Sequence, residues 1–433
     1  MFAALFLASA PGLAVAAPGD IDPSFGFAGR VLDDFQHAAA EILAVAIQPD
    51  GKIVAIGNIH EGTVTGPSRF LVARYNSDGR ADSSFGNGGK VVTNFLAGPS
   101  GANGVALQSD GKIVVAGKAG DLFALARYNS DGTLDQTFDS DGLIAAAFEP
   151  NSANTISLAS SLALHLDGRI VVGGDSFARN PAAPDYVLDS NIALARYNSD
   201  GTLDGTFGRG GFVVSSFGNF DRTDAIAVQP DGRIIVAGDS NTTGLGLYDY
   251  SLVLVRYTGG GALDETFGNG GRAPPVPGSF DSSALALRHN GKIVVAGTYL
   301  SPYPANQDFG VAQYTSSGLL DNDFGSGGLG VTDFAWADSI TGHANAAATL
   351  ALQPDGKILV GGYSGLSFAL ARYQENAAPD PAFGAGGISI VQVGNLGSST
   401  FDFTIADSSG SFHFFGIWSS NDGHPIGRSE VLA

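Results

Sequence analysis

The chain has 433 residues, 62 of them Gly, about twice ordinary usage, and only 15% are charged. That composition excludes a helical bundle or a coiled coil. Lys and Arg number 22 against 42 Asp and Glu, a net charge of −20, so the chain as a whole repels phosphate backbones and anionic lipid, and neither nucleic acid nor an acidic membrane is expected as a partner.

In chain order, residues 1–17 (MFAALFLASAPGLAVAA) come first, an apolar run ending in small residues, with Ala14 and Ala16 in an A-x-A arrangement before Ala17. This predicts a secretory signal peptide and a secreted, periplasmic or cell-surface protein. No Lys or Arg precedes the run, so its positive charge comes from the amino terminus alone. No later stretch is long and apolar enough to span a bilayer, so no membrane insertion is expected. The absence of Cys removes disulfides, thiolate metal sites, a Cys nucleophile and a lipoprotein anchor.

Beyond residue 18 the chain repeats. One phrase recurs as DPSFGFAG, DSSFGNGG, DQTFDSDG, DGTFGRGG, DETFGNGG, DNDFGSGG and DPAFGAGG, with its Phe at 25, 85, 138, 207, 267, 324 and 383, a period of about 60 residues. A second phrase comes after each first: QPDGKIVAIG from 48, QSDGKIVVAG from 108, HLDGRIVVGG from 165, QPDGRIIVAG from 229, RHNGKIVVAG from 288, QPDGKILVGG from 353, and a worn copy, ADSSGSFHFFG, from 406. A third, such as FLVARYNSDG (70–79) and FALARYNSDG (123–132), closes most units.

One unit reads as four strands: KVVTNF (90–95), GVALQ (104–108), KIVVAG (112–117) and FALARY (123–128). Asp110 and Gly111 between β-rich runs predict a two-residue type I′ hairpin. KIVVAG is apolar without alternation, which requires cover on both faces of its sheet. Neighbouring sheets supply that cover if the units close into a ring, which also protects sheet edges. The expected fold is all-β: a seven-bladed β-propeller of four-stranded blades, one domain over 18–433. Its blades are expected at about 29–79, 89–132, 142–201, 211–261, 271–318, 328–375 and 387–433, with first strands beginning near Arg30, Lys90, Leu143, Phe212, Arg272, Leu329 and Ile388.

Taken together over residues 20–416, the three phrases resemble the delta-60 repeat family, bacterial tandem repeats assigned to a β-propeller domain of unknown function. The resemblance implies the fold and frequent export, and brings no reaction or catalytic residue. Two places depart from the pattern: APPVPG (273–278), whose prolines cannot donate to a ladder, and the last unit, whose fourth strand is at best GRSEVLA at the end of the sequence.

The strand order puts the turns of the second phrase and the SDGxLDxxFGxGG links on one rim, which barely varies. The loops on the other rim differ in every unit, and function on a rigid scaffold is carried by such loops. Both tryptophans, Trp336 and Trp418, fall on that variable rim, with His37, His60, His343, His424, Glu41 and Glu61. Ring closure would gather them on one arc. Aromatic faces beside polar groups suit a sugar or a peptide, against the bland reading that polar residues gather in loops by chance.

On the constant rim Asn129, Asp131, Gly132 and Asp135, repeated at Asn76, Asp78, Asp82 and at Asn198, Asp200, Asp204, resemble a calcium loop. The place where a further acid belongs holds Arg74, Arg127 or Arg196, so turn-making carboxylates with a paired Arg are the expectation and no cofactor is predicted. Phe138 and Tyr128 and their counterparts read as packing residues. Catalysis has little support: no GxSxG elbow or phosphate-cradling loop occurs, and 36 Asp against 6 Glu points to turns. The sequence therefore predicts an exported, monomeric, non-catalytic module binding a glycan or protein through its variable rim. The alternatives are a secreted polysaccharide lyase or hydrolase with a pocket at the channel mouth, and a purely structural surface protein.

Overall fold

The computed structural model describes residues 18–27, 29–33, 39–61, 66–148, 155–180, 183–241, 250–302, 305–334, 345–365, 367–392, 405–408, 411–418 and 428–432. The expected signal peptide lies outside them. Every regular element among the described residues is a strand.

The first strand, β1 (Arg30–Asp33), does not pair with the next strands in the chain. β2 (Ala39–Ile47), β3 (Ile53–His60), β4 (Ser68–Tyr75) and β5 (Lys90–Thr93) make one antiparallel sheet in that order. β6 (Ser100–Leu107), β7 (Ile113–Ala119), β8 (Leu122–Tyr128) and β9 (Leu143–Ala146) make the next. Then come β10 (Thr155–Leu164), β11 (Ile170–Asn180), β12 (Ala183–Tyr197), β13 (Phe212–Ser215), β14 (Phe220–Val228), β15 (Ile234–Asn241) and β16 (Tyr250–Tyr257), joined in one seven-stranded sheet. β17 (Ser279–Leu287), β18 (Ile293–Pro302), β19 (Ala305–Tyr314) and β20 (Leu329–Thr332) form a further four-stranded sheet, as do β21 (Asn345–Leu352), β22 (Ile358–Ser364), β23 (Ser367–Tyr373) and β24 (Ile388–Gln392). The last sheet runs β1, β27 (Arg428–Leu432), β26 (Ser411–Trp418), β25 (Ile405–Ser408).

The expectation of seven four-stranded blades is therefore corrected. Four blades are four-stranded sheets of consecutive strands; a fifth sheet mixes both ends of the described chain, and the remaining strands share a single sheet. One local cause joins that large sheet, and another leaves its far edge without an outer strand. β12 is 15 residues long and reaches the next strands through a parallel bridge from Ser190 to Phe220. After β16, Pro274, Pro275 and Pro277 prevent a further strand, leaving only the Val255–Arg272 bridge and the Ala273 N–H on the Leu254 carbonyl at 2.8 Å.

The phase of the unit is corrected as well. The strands starting at Arg30, Lys90, Leu143, Phe212, Leu329 and Ile388 form where expected, but each is the outer strand of the preceding sheet. Lys90–Thr93, for example, pairs with Phe70–Ala73, so the expected blade 89–132 straddles two sheets. The hairpin turn also differs: only Gly111 has positive φ, 84°, and its N–H donates to the Gln108 carbonyl. This three-residue loop needs one left-handed residue, not two.

Each of the inner strands β2, β6, β10, β14, β17, β21 and β25 touches the next, and β25 also touches β2, so these strands close a ring. The continuous apolar runs are explained by this stacking. Val114 packs against Ile170 and Val172 of the next sheet, whereas Ile113 and Val115 pack against Val54 and Ile56 of the preceding one, all of them fully buried. Each such side chain contributes about 1.5–3 kcal/mol.

Candidate functional site at the variable end

The constant rim spends its polar residues on itself. Arg127 Nε donates to Asp135 Oδ2 at 2.7 Å, another guanidinium nitrogen donates to the Ser199 carbonyl of the next sheet, and the guanidinium carbon lies 4.5 Å from the centre of the Phe138 ring. The same latch recurs at Arg74–Asp82–Phe85, Arg196–Asp204–Phe207, Arg256–Asp264–Phe267 and Arg372–Asp380–Phe383. Burial alone would push Asp135 up, but hydrogen bonds from Thr137 and the Arg127 charge outweigh it and hold the carboxyl at about 2. Asp131 makes a turn, accepting the Thr133 N–H at 2.9 Å. The residues read as a calcium loop are thus engaged in latches and turns, and no metal-holding group of three or more His, Asp or Glu occurs among the described residues. Phe138 and Tyr128 are fully buried, as packing residues should be.

On the variable rim, Trp336, His343, His424 and His37 lie outside the described residues. Trp418 ends β26, in register with Arg428. His60 Nε2 stands 3.6 Å from Glu41 Oε1, and Glu61 pairs with Arg69 at 3.0 Å. Glu41 also accepts from Asn58 Nδ2, and Asn58 Oδ1 accepts the Ala102 N–H of the next inner strand at 2.9 Å. Glu41 and Asn58 therefore belong to one bonded group with the His60 ring beside it, whereas Glu61 is tied to Arg69.

A second group was missed by sequence reasoning. Each described long inner strand carries one extra residue relative to its partner, and on β14 that residue is Asp224. The bulge brings the strand against β15 so closely that a Cβ at Gly238 would stand 1.8 Å from the Arg222 carbonyl oxygen. Arg222 lies 3.2 Å from Asp224 with its side chain half exposed, although strands surround it. Ser282 on β17 ties the group to the next sheet: its hydroxyl donates to Asp224 Oδ2 at 2.7 Å and its N–H to Asp239 Oδ1 at 2.9 Å. Asp281 and Asp175 are the further carboxyls whose charges act on Arg222.

One guanidinium thus serves four carboxyl groups, and the balance shows in their titration. Asp224, and the charges of Asp239, Asp281 and Asp175 after it, raise Arg222 despite burial. Burial raises Asp224 even against the Arg222 charge, and raises Asp239 well above the carboxylate range, helped by the charge of Asp224. Burial pushes Asp175 up to about 7. The group therefore gathers carboxyl groups and a guanidinium fork in one place. Two hairpins longer than the repeat requires occur nearby in the chain, β11–β12 of the same seven-stranded sheet and β18–β19 of the next sheet. The only signal in the sequence was the residue after the repeated glycine, which is Asn58, Lys118, Asp175, Asp239, Thr298 or Tyr363 in successive units.

Six stretches, residues 48–85, 108–138, 189–207, 229–267, 289–324 and 353–383, match the β-propeller family described as a domain of unknown function (DUF5122). The chain is a β-propeller. No curated protein matches its sequence. Among solved structures it is similar to a virginiamycin B lyase from Staphylococcus aureus, at 10% identity and a TM-score of 0.50, covering 93% of this chain and 98% of that one. It is also similar to the polysaccharide lyase Uly1, at 10% identity and 0.46 over 90% of both chains. A PQQ-bound aldose sugar dehydrogenase from Streptomyces coelicolor is 14% identical with a TM-score of 0.42, over 78% of this propeller and 95% of that enzyme. At such identities the likeness bears on the fold alone.

Proposed function

We propose that this propeller is an exported binding module that takes a glycan, or a protein segment rich in hydroxyl and amide groups, at its variable end, without catalysing a reaction. The observation carrying this reading is the Arg222–Asp224–Asp281 group at the inner strands, half exposed at Arg222. It stands where loops depart from the repeat, whereas the polar residues of the constant rim are consumed by latches. A guanidinium beside carboxyl groups matches a ligand that both donates and accepts hydrogen bonds. Trp336 and Trp418 are the proposed aromatic contacts of the same face.

The test is binding of residues 18–433 to a glycan and cell-wall array beside two variants, Arg222→Ala with Asp281→Asn, and Trp336→Ala with Trp418→Ala. Ligands retained by wild type and lost by the first variant place binding at the inner strands; loss in the second alone places it on the arc. Retention by both refutes the assignment of the face. The enzyme alternative rests on Asp175, since a carboxyl raised to about 7 is suited to general acid chemistry. Turnover of any array ligand, abolished by Asp175→Asn, would replace the binding reading with that one.

A further inference from the structure

Three junctions at the variable end, each between a hairpin and the inner strand that follows it, are closed by one bond made with two chemistries. Asn58 Oδ1 accepts the Ala102 N–H at 2.9 Å, Asp175 Oδ1 the Thr223 N–H at 2.7 Å, and Asp239 Oδ1 the Ser282 N–H at 2.9 Å. Each acceptor comes directly after the glycine that packs on its own inner strand, Gly57, Gly174 or Gly238. Each donor sits just before the extra residue of the next inner strand. The three bonds are therefore equivalent in backbone and nearly isosteric in side chain. An amide cannot ionise; a carboxyl can. Asp175 and Asp239 are 3% and 0% exposed, so water does not solvate their charge while the junction is closed.

We propose that the junctions closed by Asp175 and Asp239 loosen as pH rises, whereas the junction closed by Asn58 does not respond. The charged and titratable groups around the two carboxyls are Arg222 and Asp224 on β14, Asp281 on β17, and Tyr363 on β22, which faces Asp281. Arg222 is the one cation among them. Successive ionisations therefore place like charges together with a single counter-charge to share. Opening the junction hydrates the carboxylates and returns them toward their ordinary value. Ionisation consequently favours the open form, and closure weakens from about pH 4, the ordinary carboxylate value, through about 7 for Asp175. At Asn58 the neighbouring Glu41 carboxylate accepts from the amide instead of repelling it.

Hydrogen exchange of the full chain, monitored at Ala102, Thr223 and Ser282 from about pH 5 to about pH 8 and normalised to each amide's intrinsic rate, tests this directly. Protection at Ala102 is expected to stay flat, while at Thr223 and Ser282 it falls by up to about tenfold per pH unit for one linked proton. Asp239→Asn should flatten Ser282 alone, and Asp175→Asn should flatten Thr223 alone. Conversely, Asn58→Asp should give Ala102 the slope it lacks. Equal slopes at all three amides of the unaltered protein overturn the proposal whether or not any variant folds, and slopes that persist in the Asn variants overturn it equally.

Discussion

A buried Asp on the constant rim meets an arginine, and a buried Asp on the variable rim meets other carboxyls. Asp135 and Asp204 are held at about 2, while Asp175 is pushed to about 7, though all three are nearly inaccessible to water. Burial acts upward in every case and most strongly at Asp175, whereas at Asp135 and Asp204 the Thr hydrogen bonds and the Arg charge outweigh it. One fold thus contains carboxyls that oppose acid and carboxyls that oppose alkali. Which kind a unit carries is decided by the residues around the carboxyl, not by the repeat as a whole.

The largest effect in this comparison should come from removing the cation of a latch. Arg127→Ala takes one donor from Asp135, which keeps Thr137 and Lys112, together with the Ser199 carbonyl's donor and the cover of the Phe138 ring, and denaturant unfolding should show a loss of about 3 kcal/mol. Arg127→Lys should restore little of it, because one ammonium cannot bond to both groups while covering the Phe138 ring.

A subtler test uses the one unit that has exchanged its latch residues. Gln313 stands where the other units have Arg, and donates to Asp321 Oδ2 at 2.6 Å; Arg288 stands where they have Gln or His, donates to Gln313 Oε1 at 2.7 Å and reaches the Gly356 carbonyl at 2.9 Å. The single changes Arg288→Gln and Gln313→Arg should each cost about 1–3 kcal/mol. The double change recreates the ordinary latch over Phe324 and should recover most of that loss, a coupling of about 0.5–3 kcal/mol in a double-mutant cycle.

Smaller in size, but aimed at the contrast itself, is the pH profile of thermal unfolding. Stability from Asp135 and Asp204 is present above the ordinary carboxylate value and is lost as pH falls through about 2. Stability from Asp175 and Asp308 is present below that value and is lost as pH rises through about 7 and about 6. The midpoint should therefore peak near pH about 4 and decline on both sides, with Asp175→Asn flattening only the upper limb. A profile that rises steadily to neutrality would break the comparison.

Least affected should be the exposed ion pair between Arg179 of the long β11–β12 hairpin and Asp121 of the preceding sheet, 2.7 Å apart. Arg179→Ala is expected to change stability by less than about 1 kcal/mol.

Much of this architecture was legible in the residues. The three phrases located the strands, and six of the first-strand starts were correct to the residue, because Gly-rich turns and β-rich runs alternate sharply. Their sheet membership was not legible: a repeat has no marked beginning, and Lys90–Thr93 is equally regular as the first strand of one unit or the last of another. Nor could periodicity reveal that β12 would extend to bridge two groups of strands. Among the candidate site residues, His60 and Glu41 meet as their shared rim suggested. The Arg222 group went unseen because Asp175 and Asp239 sit in phrases, VVGGDS and IVAGDS, that look like the repeat itself. Their raised values come first from burial and then from the charge of Asp224 and, at Asp239, of Asp281, an environment that only folding creates.

The sheet that joins β1 to β27 sets a condition on the order of synthesis. Arg30 pairs with Leu432 and Asp33 with Ser429, so among the described strands the one made first waits for the one made last. Until then a growing chain holds stacked sheets with two unjoined faces, one at β1 and one at whichever sheet has most recently formed. Such an intermediate exposes apolar faces that the closed ring conceals. Loss of residues 428–432 alone would leave β1 without its partner strand while β25 still meets β2, so the ring would close on an incomplete last sheet.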